Sequence, residues 1–252
     1  MKTKLFAAAA LLAVAVSAPA FAQTVGSVGA SINYSNIDTR LGSADGTSAN
    51  FDGSVAVPAA ANWTLTLNGD VNVSDNDLSD QTIAQGAAHL TTTIKDWRVG
   101  GFTALSRPAN DTVWGVGAEA SKYLDKVTLT GLVAYGQSND LDVDLYSARG
   151  EARYFVTDDF RLNAGLGYAK LDGGANDADL WDANVGGEYK FAGSGWSAFG
   201  KYTHAESKDL ADLKADTVNV GFRYTFGGSL KARDHSGADL VDAATLFGAL
   251  TR

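Results

Sequence analysis

The chain has no cysteine, three prolines and one methionine in 252 residues, and beyond residue 16 no apolar run approaches the length of a membrane-spanning helix. Without thiols there is neither a disulfide framework nor a thiolate metal site, which suits a protein exported into an oxidising compartment. Without a second long apolar segment, any membrane role falls to strands, whose backbone groups are satisfied in lipid only when the sheet closes on itself. Basic residues are also in deficit, giving a formal net charge of −9. That balance argues against a nucleic-acid partner.

The amino terminus supplies an address. Lys2 and Lys4 precede the apolar run from Leu5 to Val16, and Ala20, Phe21 and Ala22 precede Gln23. Charged, apolar and small-residue regions in that order are those of a secretory signal peptide. The run is shorter than the ~20 residues a helical span needs. Residues 1–22 are therefore expected to be removed, leaving a mature chain that starts at Gln23 with 18 basic and 29 acidic residues.

Aromatic side chains mark two levels in what remains. Trp63, Trp97, Phe160 and Trp196 follow short connections, whereas Tyr34, Tyr135, Tyr168 and Tyr202 precede stretches rich in Asp, Asn, Ser and Gly. Between Phe160 and Tyr168 the residues are apolar at every second position, the period of a strand with two different faces. Such a segment, rising ~3.3 Å per residue and tilted about 45°, climbs roughly 19 Å, comparable with the ~25 Å apolar band of a transmembrane β-barrel. Alternating runs at 25–35, 49–57, 62–73, 83–94, 97–105, 112–123, 126–137, 141–155, 159–171, 180–192, 195–205 and 215–227 predict twelve strands. The even number returns both ends of the sheet to one side. Connections alternate between tight turns, such as Lys95-Asp96, and longer polar segments at 36–48, 74–82, 106–111, 138–140, 172–179 and 206–214.

The last of these runs carries a resemblance. Asn219-Val220-Gly221-Phe222-Arg223-Tyr224-Thr225-Phe226 resembles the terminal assembly signal of Gram-negative outer-membrane β-barrel proteins, with Asn219, Gly221, Tyr224 and Phe226 at its defining positions. A near copy stands at 184–191. The resemblance covers about residues 25–227. It implies an all-β, up-and-down antiparallel transmembrane barrel of porin-like type in the bacterial outer membrane. Its partners would be the barrel assembly machinery, outer-membrane lipid and lipopolysaccharide. The chain departs from the pattern by continuing past Phe226, where the signal usually ends.

Taking the girdle aromatics as lipid-facing assigns the other parity to the lumen. Asp52, Asp70, Arg98, Glu119, Arg149, Glu151, Arg153, Arg161, Glu188, Lys190, Lys201 and Arg223 then all point inward. An Arg or Lys on the lipid face at mid-depth would cost about 2–4 kcal/mol, so the shared parity supports a barrel independently of the aromatics. Tyr123 breaks the rule, falling on the inward parity at the end of its strand. Arg149, Glu151 and Arg153, with Arg161 on the next strand, form the expected constriction wall, and Glu119, Glu188, Lys201 and Arg223 complete the lumen candidates.

Two uses of that lumen compete: passive diffusion of small hydrophilic solutes, or a filled interior serving a structural or surface-interaction barrel. About eight strands are filled by side chains and 16–18 leave an aqueous channel, so twelve lies between. Catalysis is not expected, because His89, His204 and His235 sit in no recognisable nucleophile motif. No cofactor is expected. The acidic segments at 75–80, 139–144 and 172–179 lack the spacing of a calcium loop that ends in a bidentate Glu. No protein metal site is therefore expected, and divalent bridging to lipopolysaccharide is the one metal role left to them.

Residues 229–252 read as a separate tail after a Gly227-Gly228 hinge. Leu240, Ala243, Ala244, Phe247 and Leu250 recur at helical spacing, which predicts a short amphipathic helix at 238–250. It could dock on the periplasmic rim, enter the lumen or await a partner.

Overall fold

In a computed structural model, twelve strands close into one antiparallel barrel. The structure describes residues 24–76, 79–107, 112–138, 142–173 and 177–241. The expected leader and the distal tail from residue 242 lie outside these residues. In chain order the strands are β1 (Val25–Thr39), β2 (Gly42–Ala60), β3 (Trp63–Asn76), β4 (Ser79–Ile94), β5 (Trp97–Arg107) and β6 (Val113–Tyr123). They continue as β7 (Val127–Ser138), β8 (Val143–Thr157), β9 (Phe160–Asp172), β10 (Ala178–Lys190), β11 (Trp196–Ser207) and β12 (Leu213–Phe226). Every strand pairs with its sequence neighbours, and β12 returns to β1 in a register running from Gly26↔Phe226 to Asp38↔Lys214. Closure leaves no unpaired edge in lipid.

The period-two pattern sorts the two faces. Ile32, Leu166, Val220 and Phe222 stand 61%, 66%, 55% and 59% exposed on the outside. Such a band would be a liability in water, but it is the face that lipid covers. Tyr34, Tyr168 and Tyr202 mark its outer edge, and Trp63, Trp97 and Trp196 its periplasmic edge.

Several strands outrun their sequence-based bounds. The longest expected outer loop, 36–48, is instead a hairpin in which β1 and β2 stay paired up to Thr39↔Gly42. Likewise β3 and β4 remain paired as far as Asn76↔Ser79. Above the bilayer both faces of a strand are wet, so its side chains are polar on each and the alternation vanishes while backbone pairing continues. Two register shifts, at Pro58/Ala60 and Phe155/Thr157, fall next to periplasmic turns, and a proline without an N–H is tolerated at such a place.

A helix also stands ahead of the expected one: it is α1, Leu230–Ser236, while residues 238–241 of the segment expected at 238–250 are not helical and 242–250 lie outside the described residues. Local chemistry decides this. The Ser229 hydroxyl caps the Ala232 amide at 3.1 Å, and Gly237, at φ 87°, ends the helix in the left-handed region. Gly227 and Gly228, at φ 85° and 146°, make the hinge that turns the chain from the end of β12 back into the barrel.

Candidate functional site

The lumen has two unlike halves along its length. In the periplasmic half, α1 and residues 237–241 are seated among inward-facing side chains. Arg233, Asp234 and Leu230 of α1 are all but fully buried. Arg233 donates to Glu188 of β10 at 2.6 Å and to the Thr225 hydroxyl of β12 at 2.6 Å. Asp234 accepts from Arg153 of β8 and from Thr128 of β7, each at 2.6 Å. Carbonyls just past the helix are also held, with Thr66 of β3 donating to Gly237 and Ser54 of β2 to Ala238. Arg98 of β5 donates to the His235 carbonyl at 2.9 Å.

This seat explains the parity anomaly. Tyr123 turns inward because its hydroxyl reaches the Asp234 carbonyl at 3.3 Å and accepts from Arg98 at 3.0 Å, while its ring packs on His235 with centroids 4.4 Å apart.

Around the seat the charged candidates form one network. Glu188 accepts from Arg161, Arg223 and Arg233 and from the Ser197 hydroxyl. Arg153 bridges Glu151 to Asp234, and Arg161 reaches Asp239 as well as Glu188. Arg223 donates to Asp52 at 2.9 Å and lies over the Phe199 ring. Burial would push the Asp239 carboxyl up, but the guanidinium groups of Arg161, Arg233, Arg153 and Arg223 hold it well below the usual carboxylate range. Buried ion pairs gain little net stability over apolar packing, yet removing one partner strands the other's charge. The network therefore fixes where the tail sits more than it adds to overall stability.

Three candidates lie elsewhere. Glu119 pairs with His89 at 2.8 Å, apart from the arginines. Arg149 pairs with Asp182 of β10 in a bidentate contact. Lys201 lines a cavity of about 410 Å³ beside the tail, whose walls mix polar and apolar side chains. That cavity runs from Ala238 and Asp239 up to Ile37 and Leu213, at the outer ends of β1 and β12. Its walls carry Ser31, Asn33, Asn163 and Asn219.

No protein-family model and no curated protein matches the sequence. Solved structures do. The NanC porin aligns with a TM-score of 0.56 at 10% identity, over 77% of this chain and 98% of that one. The COG4313 outer membrane channel from Pseudomonas putida F1 gives 0.54 at 15%, over 80% and 96%. The KdgM porin, solved in complex with disordered oligogalacturonate, gives 0.53 at 14%, over 78% and 99%. The chain shares the closed-barrel fold of these outer-membrane proteins.

In this barrel the residues of the assembly-like motif have distinct surroundings. Asn219 faces the lumen and donates to the Ser31 hydroxyl of β1 at 2.9 Å. Gly221 is required by space, since a Cβ there would meet the Ala30 carbonyl at 2.4 Å and the Phe199 ring at 2.8 Å. Tyr224 faces outward against Trp196, and Phe226 lies over Gly26 at the β1 seam.

Sequence reasoning missed Asp182, Arg233, Asp234 and Asp239. The signal for the last three was present as a charged stretch directly after a capped turn, but apolar periodicity drew attention further along the tail.

Proposed function

We propose that the barrel is an outer-membrane channel for the passive diffusion of small hydrophilic solutes, and that its own C-terminal segment closes the periplasmic half. The observation that carries this reading is the contrast inside one lumen. A cavity of about 410 Å³, lined in part by hydroxyl, amide and charged side chains, rises to the outer ends of β1 and β12, while the tail lies across the lumen below it. Hydroxyl and amide side chains such as Ser31, Asn33, Asn163 and Asn219 offer exchangeable hydrogen bonds along this wall. That lining suits polar solutes that must bind weakly enough to leave. Arg149, Glu151, Arg153, Arg161, Glu188, Lys201 and Arg223 would form the constriction once the tail withdraws.

A second reading, a permanently closed structural barrel, is favoured by the ion pairs that hold the tail. Planar-bilayer conductance of residues 23–252 beside residues 23–228 separates the two. The channel reading expects the shorter form to conduct steadily and the longer form to conduct little. If both are silent while correctly folded, the structural barrel takes its place.

A further inference from the structure

Two ion pairs of the lumen lie along its wall rather than across it, and each straddles a glycine. Arg149 of β8 and Asp182 of β10 both stand level with Gly167 of β9. Their bidentate contact, at 3.0 and 2.5 Å, passes over that glycine, and a Cβ there would run into the Asp182 carboxylate. The arrangement recurs where the barrel closes. Arg223 of β12 and Asp52 of β2 stand level with Gly29 of β1. The guanidinium donates across it at 2.9 Å, and a Cβ on Gly29 would meet Asp52 Oδ1 at 2.6 Å. Each glycine lets its pair lie flat, so the lumen stays open in front, and both pairs line the cavity of about 410 Å³. The other described arginines of that cavity are compensated too, Arg153 by Glu151 and Arg161 by Glu188 and Asp239.

We propose that this cavity binds uncharged polyhydroxylated solutes, with the Arg149–Asp182 and Arg223–Asp52 pairs as its two subsites. The proposal deepens the channel reading, on which it rests, by naming the solute class. Opposite charges held at hydrogen-bond distance cancel within a short range, so a solute ion gains little attraction at such a wall and still loses water. A hydroxyl loses less and gains more. Each pair sets guanidinium N–H donors beside carboxylate oxygens at a fixed spacing, and of two neighbouring hydroxyls one can accept from the first and the other donate to the second. The pairs are within reach of a solute, since the side chains of Arg149 and Asp182 remain 12% and 15% exposed and those of Arg223 and Asp52 17% and 23%. Asn163 of β9 and Asn219 of β12 line the cavity as well and add amide groups that both donate and accept.

Binding is measured on the full-length barrel in detergent, selected by heat-modifiable gel mobility, so that it does not depend on passage through the periplasmic half. Sorbitol, gluconate and N-methylglucamine share one polyol chain and are respectively neutral, anionic and cationic at neutral pH. Saturation-transfer NMR should show saturable binding of sorbitol and at least roughly ten-fold weaker binding of the other two, each of which brings an uncompensated charge to a compensated wall. Arg149→Met with Asp182→Leu removes one pair without stranding a charge and should weaken sorbitol several-fold. Asp182→Asn alone leaves Arg149 without its carboxylate, and gluconate should then bind at least as tightly as sorbitol. Gluconate or N-methylglucamine binding the parent as tightly as sorbitol overturns the proposal, as does sorbitol binding untouched by the double replacement, or no saturable binding of any of the three. Conductance without sorbitol binding would remove the site and leave the channel, whereas sorbitol binding to a barrel that never conducts would remove the channel and leave the site.

Discussion

Arg153 and Asp234 are separated by 81 positions in the chain and by 2.6 Å in the lumen, where both are almost fully buried. The pair joins the wall of the barrel to the tail, so its two halves are expected to behave differently when cut. Asp234→Ala leaves the Arg153 guanidinium with Glu151 and the Asp239 carbonyl. Loss of one partner from a buried pair costs about 3–5 kcal/mol, here charged mainly to docking of the tail. Hydrogen exchange should report it as lost protection across residues 230–241 with the strands unchanged. Undiminished protection there would mean that the ion pairs do not hold the tail.

Acidification should loosen the tail through His235. Burial lowers its pKa from the ordinary 6.5, against the pull of Asp234, while Lys231 and Arg98 lower it further. A base whose docked pKa is depressed favours docking when neutral, so docking weakens as pH falls below about 6.5 and levels off beneath the docked value. Asp239 has the same sign in a lower pH window. Its depressed pKa keeps it charged, so its contribution disappears only on falling below the ordinary carboxylate range. Between about pH 7 and pH 5 the response should therefore come from His235 and vanish in His235→Gln. Protease sensitivity of the tail in folded barrel measures this, and a His235→Gln profile identical to the parent would remove the histidine from the account.

Selectivity offers a separate check on the lumen. In residues 23–228, with no tail in the way, Arg149→Glu combined with Arg153→Glu should move reversal potentials in a salt gradient towards cation preference. Unchanged reversal potentials would take both residues out of the constriction.

Assembly should depend on the last strand. Tyr224→Ala with Phe226→Ala removes the ring packed on Trp196 and the one lying over Gly26 at the seam with β1. A lower yield of heat-modifiable barrel is expected. Equal folded yield would assign recognition to another strand or to the tail.

Strand number, closure and the inward parity of the charged residues were legible in the sequence, because a membrane forces one face of each strand to be apolar. Partners were not. Parity survives a slip of two residues, so periodicity places Arg149 and Glu188 in the lumen without naming the partners they meet, such as Asp182, 33 positions from Arg149. Outer hairpins such as β1–β2 were illegible for a related reason, since strands wet on both faces carry no period. Tyr123 was legible only as an exception. What made it one was an occupant of the lumen that no strand pattern records.

The seat of the tail is not owned by any one part of the barrel. Its side-chain partners come from β2, β3, β5, β6, β7, β8, β9, β10 and β12. A sheet that has not yet closed presents only fragments of that seat, too far apart for thirteen or so residues of chain to bridge at once, at ~3.3 Å per residue and with half of them already coiled in α1. Tail docking is thus a late event that depends on completed closure, and the docked tail is a record that the barrel has finished folding.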